Sequence, residues 1–124
     1  MINQTDLSTI YDQSLIFKSS FQIQFDDYNN DGDLDFTIGQ YGSSNGNYYK
    51  IFTLRNDGTV EELPIKSHAS LFISNSKYSI KLAKADHNSF KKEYYDNSTQ
   101  KHYEDIFKWN GNEFIQIEHR EKGD

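Results

Sequence analysis

Apolar and polar residues alternate along this chain in short bursts rather than in helical stripes. Across residues 15–25, Ile16 leads into Phe21, Ile23 and Phe25, and the last three fall on one face of an extended segment. Leu34, Phe36 and Ile38 repeat the pattern. Further bursts occupy residues 48–54, 60–65, 71–73, 78–82, 90–95, 103–109 and 114–117. The segment 60–65 holds the single proline, Pro64, and reads as an edge strand or a strand end. Turn residues separate the bursts: Asn56-Asp57-Gly58, Asp86-His87-Asn88, Asp96-Asn97-Ser98 and Asn110-Gly111-Asn112. Glycine reaches positive φ freely, and Asn and Asp tolerate it while bonding to the local backbone.

This pattern predicts an all-β fold: an antiparallel meander of about eight strands, closed as a sandwich, a barrel or propeller-like blades. Asn110-Gly111 gives the sharpest hairpin expectation. A two-residue turn there sets Lys108 opposite Glu113, Phe107 opposite Phe114 and Ile106 opposite Ile115. One short helix is expected near the N-terminus, over residues 5–12, with Thr5 or Asp6 as its N-cap.

Composition strengthens the β reading. Phe and Tyr number 9 each, and aromatic and β-branched residues suit pleated sheets. The same aromatic content argues against a disordered chain. At 124 residues, a single domain over 1–124 is expected. No apolar run approaches the roughly 18 residues needed to cross a bilayer as a helix, so no transmembrane segment is expected. Cysteine is absent, which removes disulfides, thiolate metal sites and cysteine nucleophiles.

Charge changes the picture more. Asp and Glu number 19 against 13 Lys and Arg, a formal net charge of −6. Asp26, Asp27, Asp31, Asp33 and Asp35 crowd into residues 26–35, and without these five the balance is 14 against 13. The acidity therefore belongs to one loop, and the balanced remainder offers no basic face for nucleic acid.

That loop, Asp27-Tyr28-Asn29-Asn30-Asp31-Gly32-Asp33-Leu34-Asp35, has the spacing D-x-N-x-D-G-x-x-D. Side chains at alternate positions converge when the backbone curls round a hard cation, and glycine at the sixth position permits the turn. Asp27, Asn29 and Asp31 are expected to give side-chain oxygens, Asp33 its backbone carbonyl, and Asp35 a carboxylate held directly or through water. The twelfth position, where an EF-hand places a bidentate Glu, is Ile38, and the flanks are strand-like, so this is no EF-hand. Crowded carboxylates repel one another without a cation, and calcium fits such a loop better than magnesium.

The line from Phe25 to Phe36 resembles FG-GAP and VCBS-type repeats over roughly residues 21–55. Those repeats are extracellular or envelope β-structures whose loop holds calcium. The resemblance implies Ca2+ as cofactor and a secreted or cell-envelope setting. Met1-Ile2-Asn3-Gln4 is not a signal peptide, so any leader is expected to have been removed. Calcium affinity around ~10⁻⁵–10⁻³ M, useful outside the cell, is expected without the twelfth-position Glu.

Residues 39–49, Gly39-Gln40-Tyr41-Gly42-Ser43-Ser44-Asn45-Gly46-Asn47-Tyr48-Tyr49, read as a long connection between strands or, alternatively, as a presented binding loop. A calcium loop followed by a strand and a Ser/Gly/Asn-rich loop ending in Tyr is similar to bacterial periplasmic lysozyme-inhibitor-like proteins. There the loop enters the enzyme cleft. The resemblance implies Ser44, Asn45, Gly46 and Tyr48 as partner-contacting residues.

Catalytic patterns are missing. His68, His87, His102 and His119 are scattered and read as solvated, His119 within a polar tail. No G-x-S-x-G elbow occurs. Glu61-Glu62 and Glu104-Asp105 are adjacent, so in strands they point to opposite faces. Tyr94, Tyr95, Tyr103, Phe107 and Trp109 form an aromatic concentration that could stack sugars or peptides, although Phe107 and Phe114 read as core. The expectation is a calcium-binding β-domain without enzymatic activity, with a structural role or a protein or glycan partner. The alternative is an inhibitor of a secreted, lysozyme-type hydrolase acting through residues 42–48.

Overall fold

The computed structural model describes residues 20–122. The helix expected over 5–12, and the part of the first apolar segment before residue 20, lie outside them. Nine strands follow in chain order: β1 Phe25–Asp26, β2 Leu34–Ser43, β3 Gly46–Leu54, β4 Val60–Glu62, β5 Leu71–Ile73, β6 Ala83–Asp86, β7 Ser89–Asp96, β8 Lys101–Trp109 and β9 Phe114–Glu121. No helix occurs among the described residues, so none there is long and apolar enough to cross a membrane.

The strands form two antiparallel sheets, and neither closes into a barrel. The first runs β1-β2-β3-β4, with β5 added to β3 beside β4; the second runs β6-β7-β8-β9. The meander is therefore broken once, where β5 returns to pair with the first half of β3 (Tyr49↔Leu71) after β4 has paired with its second half (Thr53↔Glu61).

Period-two alternation in β2 and β3 divides the first sheet into two buried faces. Phe36, Ile38, Phe52 and Val60 cluster on one, under Phe21, Ile23 and Phe25 from the approach to β1. Tyr49 and Ile51 point to the other. There they join Leu71, Ile73, Phe90, Phe107 and Phe114 in the larger core shared by both sheets. The alternation of Phe21, Ile23 and Phe25 thus has its cause: these residues cover the outer face of β2 and β3.

Residues 78–82 depart from the pattern, being apolar but not a strand. Ile80 and Leu82 are buried, and their backbone is satisfied by side chains instead of a ladder. Thr37 Oγ1 accepts from Ile80 N at 2.8 Å and lies 2.7 Å from Ile80 O as a donor. The Tyr28 hydroxyl accepts from Leu82 N at 2.9 Å. Tyr28→Phe strands that buried amide without a partner and is expected to lower stability by about 1–2 kcal/mol in chemical denaturation. A loss under a few tenths would show that water reaches Leu82.

Two expectations need correction. Residues 39–49 are not a long connection: β2 runs to Ser43, β3 resumes at Gly46, and only Ser44 and Asn45 form the turn. Gly46 is required by packing, since a Cβ there would lie 2.1 Å from the Ile73 carbonyl oxygen. The second correction concerns the hairpin after β8. Its loop has four residues, and Trp109 pairs with Phe114, Lys108 with Ile115 and Phe107 with Gln116. Asn110 Oδ1 accepts from the amides of Asn112 and Glu113, both at 3.0 Å. That cap widens the turn, and Phe114 then stacks edge-on against Trp109 at 4.9 Å and bridges to Ile65. Next to the turn the slip is two residues, which keeps each side chain on its face, and a bulge between Ile106 and Phe107 adds one more from Ile106 onward.

Candidate metal centre

The acidic loop joins β1 to β2, with Phe25↔Phe36 and Asp26↔Asp35 as the closing pairs. Gly32 (φ 87°) and Asn30 (φ 58°) take left-handed conformations that curl the chain. Asp27 Oδ2 accepts from Gly32 N at 3.0 Å, and Asp31 Oδ1 accepts from Asp33 N at 2.9 Å. The loop is anchored inward by Tyr28, which is fully buried and packs against Phe90. Its amide donates to Asp35 Oδ2 at 2.8 Å.

Carboxylate oxygens of Asp27, Asp31 and Asp35 lie within 4.8 Å of one another. Asp35 is fully buried and Asn29 nearly so, yet Asn29 Oδ1 and Asp35 Oδ1 have no hydrogen-bond partner. Asn29 donates its amide nitrogen to Asp31 Oδ2 at 3.1 Å, which leaves its carbonyl oxygen unused beside the triad. Thr53 faces Asp35 from the opposing strand. Its hydroxyl pulls the Asp35 pKa down but lies outside hydrogen-bond geometry.

Ion pairing sorts the five aspartates. Asp33 turns away to Arg55 at 3.3 Å, and Asp26 caps Asp27 N at 2.8 Å and lies 3.7 Å from Lys84. Among the described residues, Asp27, Asp31 and Asp35 have no Lys or Arg in ion-pair contact. Unpaired buried charge is costly. Burial, with smaller contributions from Asp31 and Asp27, raises the Asp35 pKa from 3.8 to about 6.

This shift has a sign that can be checked. With chelator present the folded state holds its Asp35 proton up to about pH 6, whereas the unfolded chain releases it near 3.8. Folding then takes up protons between those values, so stability falls as pH rises through the window. Asp35 should thus make chelated protein less stable at pH 7 than at pH 5. Asp35→Asn should remove that component from the pH profile, and an unchanged slope would contradict the burial argument.

The four loop residues Ser44, Asn45, Gly46 and Tyr48 lie at the tip of the β2–β3 hairpin, at the other end of β2 from the acidic loop. Asn45 donates its side-chain amide to Asn97 Oδ1 at 2.7 Å, which pins the tip to the β7–β8 turn. Tyr48 is half exposed and leans on Phe72 at 5.2 Å.

A second cluster escaped the sequence reading. His119 belongs to β9 and not to a polar tail; its Nδ1 lies 2.6 Å from Asp105 Oδ1. Asp105 also lies 3.7 Å from Lys92 Nζ, and both of those residues are buried. Burial pulls the Lys92 pKa down, against the attraction of Asp105. The available signal was charge complementarity: with the four-residue turn and the bulge between Ile106 and Phe107, Glu104 and Asp105 oppose Arg120 and His119. Glu104 and Asp105 do point to opposite sides, the former bonding Arg120 at 3.0 Å. Tyr95 rests on His102, and Tyr103 stacks between Tyr94 and His119.

Comparison of the chain with family models, curated proteins and solved structures returns no match. The class defined by the geometry is a two-sheet antiparallel β-domain with an oxygen-rich acidic loop at one edge.

Proposed function

We propose that this protein is a calcium-binding, non-catalytic β-domain of an extracellular or cell-envelope setting, with a structural or binding role. The observation that carries this reading is the pair of buried, unpartnered oxygens, Asn29 Oδ1 and Asp35 Oδ1, at a triad of carboxylates without a counter-cation. A hard divalent cation satisfies both deficits at once, since it wants six to eight oxygens and brings the missing charge. Asp27, Asn29, Asp31 and Asp35 would supply side-chain oxygens, and Asp33, its carboxylate committed to Arg55, is suited to give only its carbonyl. The resemblance of residues 21–55 to FG-GAP and VCBS-type repeats points the same way, and the weak affinity expected of such a loop supports the extracellular setting.

Isothermal titration of metal-stripped protein tests the reading. One calcium ion per chain is expected, with a dissociation constant of about 10⁻⁵–10⁻³ M and weaker binding of magnesium. Calcium binding below one tenth of an equivalent at millimolar metal would refute it.

A second reading, inhibition of a secreted lysozyme-type hydrolase, is favoured by exposed aromatics near the hairpin tip: Tyr41 is 76% exposed and Tyr48 49%. It requires loss of hydrolase activity at micromolar protein, and relief of that inhibition by Tyr48→Ala. Full hydrolase activity would dispose of it.

A further inference from the structure

Beneath the pinned hairpin tip lies an open cavity of about 550 Å³, within the range of small-molecule sites. It unites two features that stand far apart in sequence, the Ser/Gly/Asn hairpin tip and the aromatic run of β7. Tyr48, Phe72 and Tyr94 supply ring surface, and the buried Lys92–Asp105 pair with His119 forms part of its lining. Asn45 and Asn97, bonded to each other, also line it and link the two sheets there.

The one positive charge of the lining is already matched, and Asp96 is the one carboxylate there without an ion pair. Lys92 Nζ is held by the Phe72 carbonyl at 3.2 Å and by Asp105 at 3.7 Å, so the pair is neutral as a unit. Asp96 accepts from the amide and hydroxyl of Ser98. An anion would meet Asp96 and Asp105, and a free cation would meet Lys92. The cation position over the Tyr94 ring is already taken by Lys92 Nζ, 4.5 Å from its centre, which disfavours a quaternary-ammonium ligand. What remains free is neutral hydrogen-bonding capacity. Among the described residues, the hydroxyls of Tyr48 and Tyr94 and Nε2 of His119 make no hydrogen bond.

Aromatic faces beside uncharged donors and acceptors suit a ligand with an apolar C–H face and a rim of hydroxyls. We propose that this cavity binds a neutral oligosaccharide, with the half-exposed Tyr48 ring and its neighbour Phe72 packing on a sugar ring and the phenol, imidazole and amide groups bonding its hydroxyls. The site goes beyond the calcium reading and does not depend on it.

The experiment is a titration of the calcium-loaded, ¹⁵N-labelled protein with three neutral trisaccharides at millimolar concentration: maltotriose, cellotriose and the N-acetylglucosamine trimer. Trigalacturonic acid serves as the charged comparison and tetra-alanine as the peptide comparison. At least one neutral trisaccharide should give saturable shifts centred on the amides of Tyr48, Tyr94, Tyr95 and Asn97. Tyr48→Ala and His119→Ala, both altering half-exposed side chains, should each weaken binding by roughly tenfold. Their calcium-induced melting shift should stay intact, which separates a failed sugar site from a failed calcium site or a misfolded variant. The inference is overturned by no saturable shift with any neutral trisaccharide, by shifts mapping away from the cavity, by tighter binding of trigalacturonic acid or tetra-alanine, or by unchanged affinity in both variants.

Discussion

Saturating calcium is expected to raise the melting temperature of this protein by roughly 10 °C, and chelator to reverse the gain. A ligand present at a hundred times its dissociation constant stabilises the folded state by about 2.7 kcal/mol, if it does not bind the unfolded chain. At about 2.1 cal/mol/K of unfolding entropy per residue, each kcal/mol moves the midpoint of a domain of this size by about 4 °C. The decisive variant is Asp35→Asn. It removes a buried carboxylate that is expensive to ionise without a metal, so the calcium-free variant should melt at or above the calcium-free parent. Its response to calcium should disappear. Asp31→Ala should also lose the response, but without the gain in the calcium-free state, because Asp31 is exposed. Equal calcium shifts in parent and Asp35→Asn would remove Asp35 from the site. No shift in the parent would remove calcium altogether.

Phe90→Ala is expected to cost the most of any single change, about 3–5 kcal/mol. Phe90 is fully buried in the core shared by the two sheets. It stacks on Phe107 at 5.4 Å and meets Phe114 and Tyr28 edge-on at 5.0 and 6.1 Å. Truncation removes all three ring contacts and leaves a cavity between rigid sheets that cannot collapse to fill it. Against a typical total of 5–15 kcal/mol, the variant should unfold at a far lower denaturant midpoint or fail to fold at room temperature. Ile117→Ala, at a half-exposed position in β9, should change stability by no more than about 0.5 kcal/mol. A Phe90→Ala loss below about 1.5 kcal/mol would mean that the sheets re-pack around the gap.

The acidic loop and the hairpins illustrate different degrees of legibility. Spacing alone singles out Asp27, Asn29, Asp31, Asp33 and Asp35, because adjacency in the chain is also adjacency in a tight loop. That Asp33 and Asp26 would be answered by Arg55 and Lys84 could not be read the same way, since those partners arrive from other strands. In the β8–β9 turn, Asn110-Gly111 suits a two-residue loop locally, yet the structure has four residues there. The wider loop prevails through the Asn110 cap and through Phe114 meeting Ile65 on another element.

Residues 78–82 fall between these cases. Their apolar pattern reported burial correctly, but not that Thr37 and Tyr28 side chains would take the place of a neighbouring strand. His119 lies past the last apolar residue of the chain, where the sequence suggests a polar tail; paired across β8, the charged residues continue the strand instead.

By itself, then, the sequence determined the all-β class, most strand positions, the core placement of Phe107 and Phe114 and the place of the acidic loop between two strands. All of these follow from period-two alternation and short-range turn chemistry, which act over a few residues. Only the tertiary structure decided that the strands divide into two sheets, that Asn29 and Asp35 are buried with oxygens unpaired, and that Lys92, Asp105 and His119 meet beneath the hairpin tip. Those outcomes depend on which strand lies beside which, and long-range packing of the shared core sets that arrangement, leaving no periodic trace in the chain.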